Sequence, residues 1–82
     1  MLPIQVTLRD GRPHTVRWRD DAITPPREQR DRVLHVIDDW DYAGRWWELE
    51  VVRQYLLVET DRGATLEIFR EGEAWCLSRT SD

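Results

Sequence analysis

Lysine and asparagine are missing from this chain altogether, and cysteine, methionine and phenylalanine occur once each. The lone Cys76 excludes an internal disulfide, and the lack of any Cys/His spacing excludes a structural zinc site. No stretch approaches the roughly 20 apolar residues of a membrane-spanning helix, and the opening Met1-Leu2-Pro3 has no signal-peptide character. These absences point to one cytoplasmic domain spanning 1–82, with no membrane partner. All twelve basic residues are arginine, which forks carboxylates and phosphates and stacks on aromatic rings where lysine does not. Their distribution is uneven. Residues 1–35 hold seven arginines against five acids, whereas residues 36–82 hold five against eleven. That balance excludes a uniformly basic nucleic-acid binder and leaves room for a local arginine patch.

Against this sparse background stand five tryptophans, two of them adjacent at Trp46-Trp47. Neighbouring side chains of a strand point to opposite faces. Two adjacent indoles therefore cannot both enter one core layer, so one of them must meet a second layer or a partner.

The C-terminal third reads as a β-meander. Asp61-Arg62-Gly63 is a natural three-residue hairpin loop with glycine in the left-handed position. It pairs Thr60 with Ala64, Val58 with Leu66 and Leu56 with Ile68, giving an aliphatic face. The other face carries Tyr55 opposite Phe69, Leu57 opposite Glu67, and Arg53 opposite Glu71. At the N-terminus, a three-residue loop Arg9-Asp10-Gly11 sets Val6 by His14, Ile4 by Val16 and Leu2 by Trp18. A two-residue Asp10-Gly11 turn would mix the faces instead. The last turn has two readings. A loop Arg70-Glu71-Gly72 sends Trp75, Leu77 and Arg79 to the face of Tyr55 and Phe69, and a two-residue Glu71-Gly72 turn puts Trp75 beside Ile68.

Residues 20–32, with Pro25-Pro26, read as a break. Beyond them, Val33, Val36, Ile37 and Trp40 fit the spacing of a helix over 28–40. β-branched and aromatic content argues instead for a strand, Arg32 to Asp38, buried on both sides. In either case the acidic run Asp38-Asp39-Trp40-Asp41 is expected to end the element. The fold expected is mostly β: a small curled antiparallel sheet or open barrel made of an N-terminal hairpin, a middle strand and a three-stranded meander. The alternative is an α+β domain with the helix packed on the sheet.

The candidate sites are few. Asp38, Asp39 and Asp41 match no calcium-loop spacing and read as a solvated acidic turn. His14 and His35 are the only imidazoles, and Cys76 sits mid-strand where a buried, inert thiol is expected. No phosphate loop, paired acid and base or activated nucleophile is present, so no catalysis and no cofactor are expected. Arg45, Arg53 and Arg79, with Trp47, Tyr55, Phe69 and Trp75, make up one prospective aromatic and arginine surface. Such residues complete a small core, anchor a protein partner, or stack unpaired bases. The acidic C-terminal half disfavours the last, because stacking bases need a basic funnel for their backbone.

A set of residues resembles a known family. It comprises Trp18-Arg19, Val33, Val36-Ile37-Asp38, Trp40, Gly44-Arg45-Trp46-Trp47, Arg53, Tyr55 and Val58, then Glu67-Ile68-Phe69, Trp75, Leu77, Arg79 and Asp82. The pattern is similar to a small domain of Actinobacteria and the Deinococcus–Thermus group. That domain occurs near, or attached to, ImuB-like and other Y-family translesion polymerases and error-prone replicative polymerase subunits. The resemblance spans Trp18 to Asp82, and it departs from the family at Asp20 to Arg32, which looks like an insertion, and at Ser81. It implies a mostly-β fold and a context of DNA damage tolerance. The module expected is therefore a non-catalytic accessory domain binding a protein, such as a translesion polymerase component, with single-stranded nucleic acid as the alternative ligand.

Overall fold

The computed structural model of the chain describes residues 2–20, 24–46 and 49–81, with side chains described outside 45–51. Six strands follow one another: β1 (Leu2–Arg9), β2 (Arg12–Asp20), β3 (Arg27–Trp46), β4 (Leu49–Thr60), β5 (Thr65–Glu71) and β6 (Ala74–Ser81). Each pairs antiparallel with the next, and β1 pairs with β6 through Leu2–Leu77, Pro3–Cys76 and Ile4–Trp75. The sheet is therefore a closed up-and-down barrel, in keeping with the small mostly-β barrel expected, and among the described residues no helix covers it. Closure leaves no free edge where neighbours overlap. Among the described residues no helix is long and apolar enough to cross a membrane.

The β4–β5 hairpin follows the expected register. Leu56 pairs with Ile68, Val58 with Leu66, Tyr55 with Phe69, and Leu57 with Glu67. The Thr60 N–H donates to the Ala64 carbonyl (2.9 Å) and the Gly63 N–H to the Thr60 carbonyl (3.0 Å), with Gly63 at φ 82°. That φ is the left-handed position the loop requires of its last residue. The aliphatic face fills the barrel: Leu56, Val58, Ala64, Leu66 and Ile68 join Ile4, Val16, Trp18 and Leu77 in one buried cluster.

The two other expected hairpins depart from expectation at the turn, and in the first a bulge restores the sorting of faces. Asp10 (φ 53°) and Gly11 (φ 78°) form a two-residue turn, pairing Arg9 with Arg12 and Leu8 with Pro13. Two positive φ values in succession define the type I′ turn that matches strand twist. His14 then has no partner position, because Thr7 pairs with Thr15 and Val6 with Val16. One extra residue reverses the alternation, so Val6 meets Val16 rather than His14. At the last turn Glu71 pairs with Ala74 around Gly72-Glu73, so Ile68 faces Leu77 and Arg70 faces Trp75. Neither expected loop forms. The observed register differs from the Glu71-Gly72 alternative by two positions, which preserves its faces, and Trp75 packs against the barrel core.

The middle element needs the largest correction. It is a strand, but it starts at Arg27 and continues to Trp46, straight through the acidic run. It is also not buried on both sides, since Leu34, Val36 and Ile37 are exposed. Two bulges account for its helix-like spacing. Val33 pairs with Thr60, His35 with Glu59, Val36 with Val58 and Asp38 with Leu57, so Leu34 and Ile37 are each an extra residue. Val33 and Val36 thereby share the inner side at a separation of three, mimicking a helical period.

A buried charge closes one end of the barrel. Asp31 (1% exposed) lies opposite Val16 on β2. Its carboxylate accepts from Arg62 Nε at 3.2 and 3.1 Å and from Gln29 Nε2 at 2.9 Å. The β4–β5 loop is held to β3 as well, because the Asp61 N–H donates to the Arg32 carbonyl and the Arg32 N–H to Asp61 Oδ1. A carboxylate removed from water is tolerated while its partner is in place and costly once it is gone. Arg62→Ala is expected to lower unfolding stability by about 3 kcal/mol, measured by urea denaturation. The double replacement Asp31→Leu, Arg62→Met is expected to recover most of that loss.

Candidate functional site

On β4 the side chains alternate between the barrel interior and its outside. Leu56 and Val58 point in, while Arg53, Tyr55 and Leu57 point out. The outward positions align with Trp40 and Tyr42 on β3, since Trp40 pairs with Tyr55 and Tyr42 with Arg53, and with Phe69 on β5. A connected aromatic array results. Trp40 stacks on Tyr55 with centroids 5.3 Å apart and planes 2° from parallel. Tyr42 meets Tyr55 edge-on at 6.5 Å, and Tyr55 leans on Phe69 at 5.1 Å.

Phe69 forms the floor. It is 1% exposed yet stands outside the barrel's core cluster. The Arg53 guanidinium lies 4.6 Å over its ring, donates to the Tyr55 hydroxyl at 3.4 Å, and pairs with Glu71 at 3.5 Å. The bond to Tyr55, ahead of the charge of Glu71, holds the guanidinium pKa above its ordinary value against the opposing effect of burial. The charge of Arg53 is already engaged by Glu71. Trp40 (38% exposed) and Tyr42 (51%) present the outer surface of the array. Tyr42 also covers Gly44, where an added Cβ would lie 2.7 Å from its hydroxyl oxygen.

The residues singled out from sequence separate into groups. Arg53, Tyr55 and Phe69 come together as expected, with Phe69 as support rather than contact surface. Trp75 does not join them. It lies on the inner side, packed against the core, with the Arg70 guanidinium 5.4 Å over its ring. Arg79 is exposed opposite Glu67, displaced along β6 by the bulge at Ser78. Arg45 occupies a β3 position opposite Glu50, but its side chain lies outside the described residues, as does all of Trp47. Trp40 and Tyr42 were missed as surface residues. The alternation Asp38-Trp40-Tyr42-Gly44 would have revealed them had β3 been extended past the acidic run.

The acids of that run do not converge. Asp38 points with Trp40 to the outside, while Asp39 and Asp41 share the inner side with Leu56 and Gln54, their partners on β4. Among the described residues no group of three or more His, Cys, Asp or Glu side chains is placed to hold a metal ion. Cys76 is half-buried between Phe69 and Pro3 on the neighbouring strands.

The exposed large apolar side chains among the described residues are Leu34, Val36, Ile37, Trp40 and Tyr42 on β3, Val52 on β4 and Leu8 on β1. They do not share one face: Trp40 and Tyr42 lie on the outer side, Val36 and Val52 on the inner side, and Leu34 and Ile37 at the bulges. A cleft of about 750 Å³ opens between the β1–β2 turn and the bulged part of β3, lined by Leu8, Pro13, Val36, Ile37 and Trp75 among others. No family model matches the chain, and no curated protein or solved structure matches it either.

If Trp40 and Tyr55 act as a stacked pair, a double-mutant cycle with alanine at each is expected to give a coupling of about 1 kcal/mol, measured by thermal or urea unfolding. Gly44→Ala is expected to displace the Tyr42 ring and change the near-ultraviolet circular dichroism, with the far-ultraviolet spectrum unaltered.

Proposed function

We propose that this chain is a non-catalytic accessory module that binds another protein through the outer face of β3, β4 and β5. Trp40 and Tyr42 make the contact, and Tyr55, Arg53 and Phe69 hold them in place. The observation that carries this reading is the connected array of partly exposed Trp40 and Tyr42 with Tyr55 over the buried Phe69 on that face. Rigid aromatic rings backed by a buried floor are the usual anchors of protein interfaces. A cytoplasmic role in DNA damage tolerance, with a translesion polymerase component as partner, follows from the resemblance carried by the Gly44-Arg45-Trp46-Trp47 block and the Trp75-x-Leu77-x-Arg79 ending.

The second reading, single-stranded nucleic acid, draws on the same exposed rings. Electrostatics weigh against it. Asp38, Glu67 and Glu71 share the outer face, and the Arg53 charge is engaged by Glu71, so a phosphate backbone would find little to neutralise it. Two measurements separate the readings. Titration with a single-stranded oligonucleotide is expected to leave tryptophan fluorescence unchanged, and a salt-sensitive quench would instead favour nucleic acid. Co-purification with a Y-family polymerase subunit is expected for the native chain. It should be lost in the Trp40→Ala, Tyr42→Ala double variant while the circular-dichroism spectrum of the fold is retained.

A further inference from the structure

The barrel is closed, yet one side of β3 is open. Pairing of β2 with β3 ends at Thr15–Arg32, whereas pairing of β4 with β3 continues to Trp46–Leu49. Among the described residues, no strand pairs with the β2 side of β3 from Val33 to Trp46, and the β1–β2 turn faces only its first, bulged part across the cleft. Every second residue there turns its N–H and C=O away from β4. The first part of this edge is interrupted by the bulges at Leu34 and Ile37, but from Asp38 to Trp46 the register with β4 is unbroken. A straight, unpaired strand flanked by exposed rings is a template for one more strand.

We infer that this edge takes up an extended, basic peptide segment by strand addition, with its backbone pairing along Asp38–Trp46. The inference rests on the protein-binding reading above and specifies its geometry and the chemistry of the partner. Side chains along an added strand alternate between the two faces of β3. Those on the outer face lie beside Trp40 and Tyr42 and are apolar. Those on the inner face lie beside Asp39 and Asp41 and are arginine or lysine. Asp38, next to Trp40 on the outer face, adds a further carboxylate at one end. All three aspartates are exposed, so their charge is available to the incoming strand. Opposite charges across neighbouring strands stabilise pairing, and like charges oppose it. A second copy of this chain fits poorly for that reason. It would bring the three aspartates of each β3 to one seam, where Arg45 is the lone arginine between Val33 and Trp46 on either side.

The test uses a fluorescent synthetic peptide of about ten residues, alternating valine with arginine, and its valine–glutamate counterpart. Binding is followed by anisotropy. The basic peptide is expected to bind at least about tenfold tighter than the acidic one and to weaken with added salt. Methylating alternate backbone nitrogens of the peptide should weaken binding about tenfold in one phase and little in the other, since only one set of N–H groups faces β3. Asp39→Asn with Asp41→Asn should erase the preference for the basic peptide. If both methylation phases are harmless while Trp40→Ala still abolishes binding, the aromatic face stands and strand addition is wrong. If methylation discriminates but Trp40→Ala and Tyr42→Ala change nothing, the edge stands and the aromatic reading fails. Absence of binding by the basic peptide, or a β3-mediated dimer in sedimentation that excludes it, overturns the inference.

Discussion

Strand β3 outruns its neighbour. At 20 residues it is the longest strand of the chain, and β2 has 9. β2 pairs with it only through Thr15–Arg32. Two residues back along β2 stand His14, the bulge, and Pro13, which has no N–H to donate. The β2 side of the barrel therefore ends while the β3–β4 ladder carries on. Most of the distinctive surface of this molecule follows from that mismatch. The exposed apolar residues, the cleft beside the β1–β2 turn and the unpaired edge all border the stretch of β3 that β2 fails to cover. Trp40 and Tyr42 stand on that stretch too.

Stability and recognition thus occupy opposite sides of the same strands. Inside, Leu56, Val58, Leu66 and Ile68 fill the barrel, and the Asp31–Arg62 pair ties the β4–β5 loop to β3. Outside, Tyr55 and Phe69 sit one residue along from Leu56 and Ile68 and support rings that face solvent. Alternation makes the two faces inseparable in register but separable in energetics. A change at Tyr42 leaves the core untouched, and a change at Leu56 leaves the outer rings chemically intact while loosening the strand that presents them.

How much of this was legible in the sequence depended on where bulges fall. Asp61-Arg62-Gly63 is flanked by unbroken alternation, and counting outward from it gave the inner and outer faces correctly. At Asp10-Gly11 the same counting failed, because the bulge at His14 changes the parity a few residues beyond the turn. The observed sorting of apolar groups survives only through that compensation. In β3 the bulges at Leu34 and Ile37 stretched a period of two into a pattern resembling a helix, and the acidic run looked like an ending when it is part of a continuing edge strand. The face of Trp75 stayed open between two turn readings, because nothing local shows that glycine occupies the first position of its turn rather than the last. The Asp31–Arg62 pair carried no local signal, since its members are 31 residues apart and meet only once the barrel closes.

The account turns on β3 between Asp38 and Trp46 being paired on one side alone. Residue-resolved amide hydrogen exchange of the free chain measures this directly. Alternating behaviour is the predicted result, with the N–H groups directed at β4 protected and those directed away from it exchanging quickly. Uniform protection along Asp38–Trp46 would mean that the edge is already occupied. Uniformly rapid exchange would mean that the long hairpin does not form.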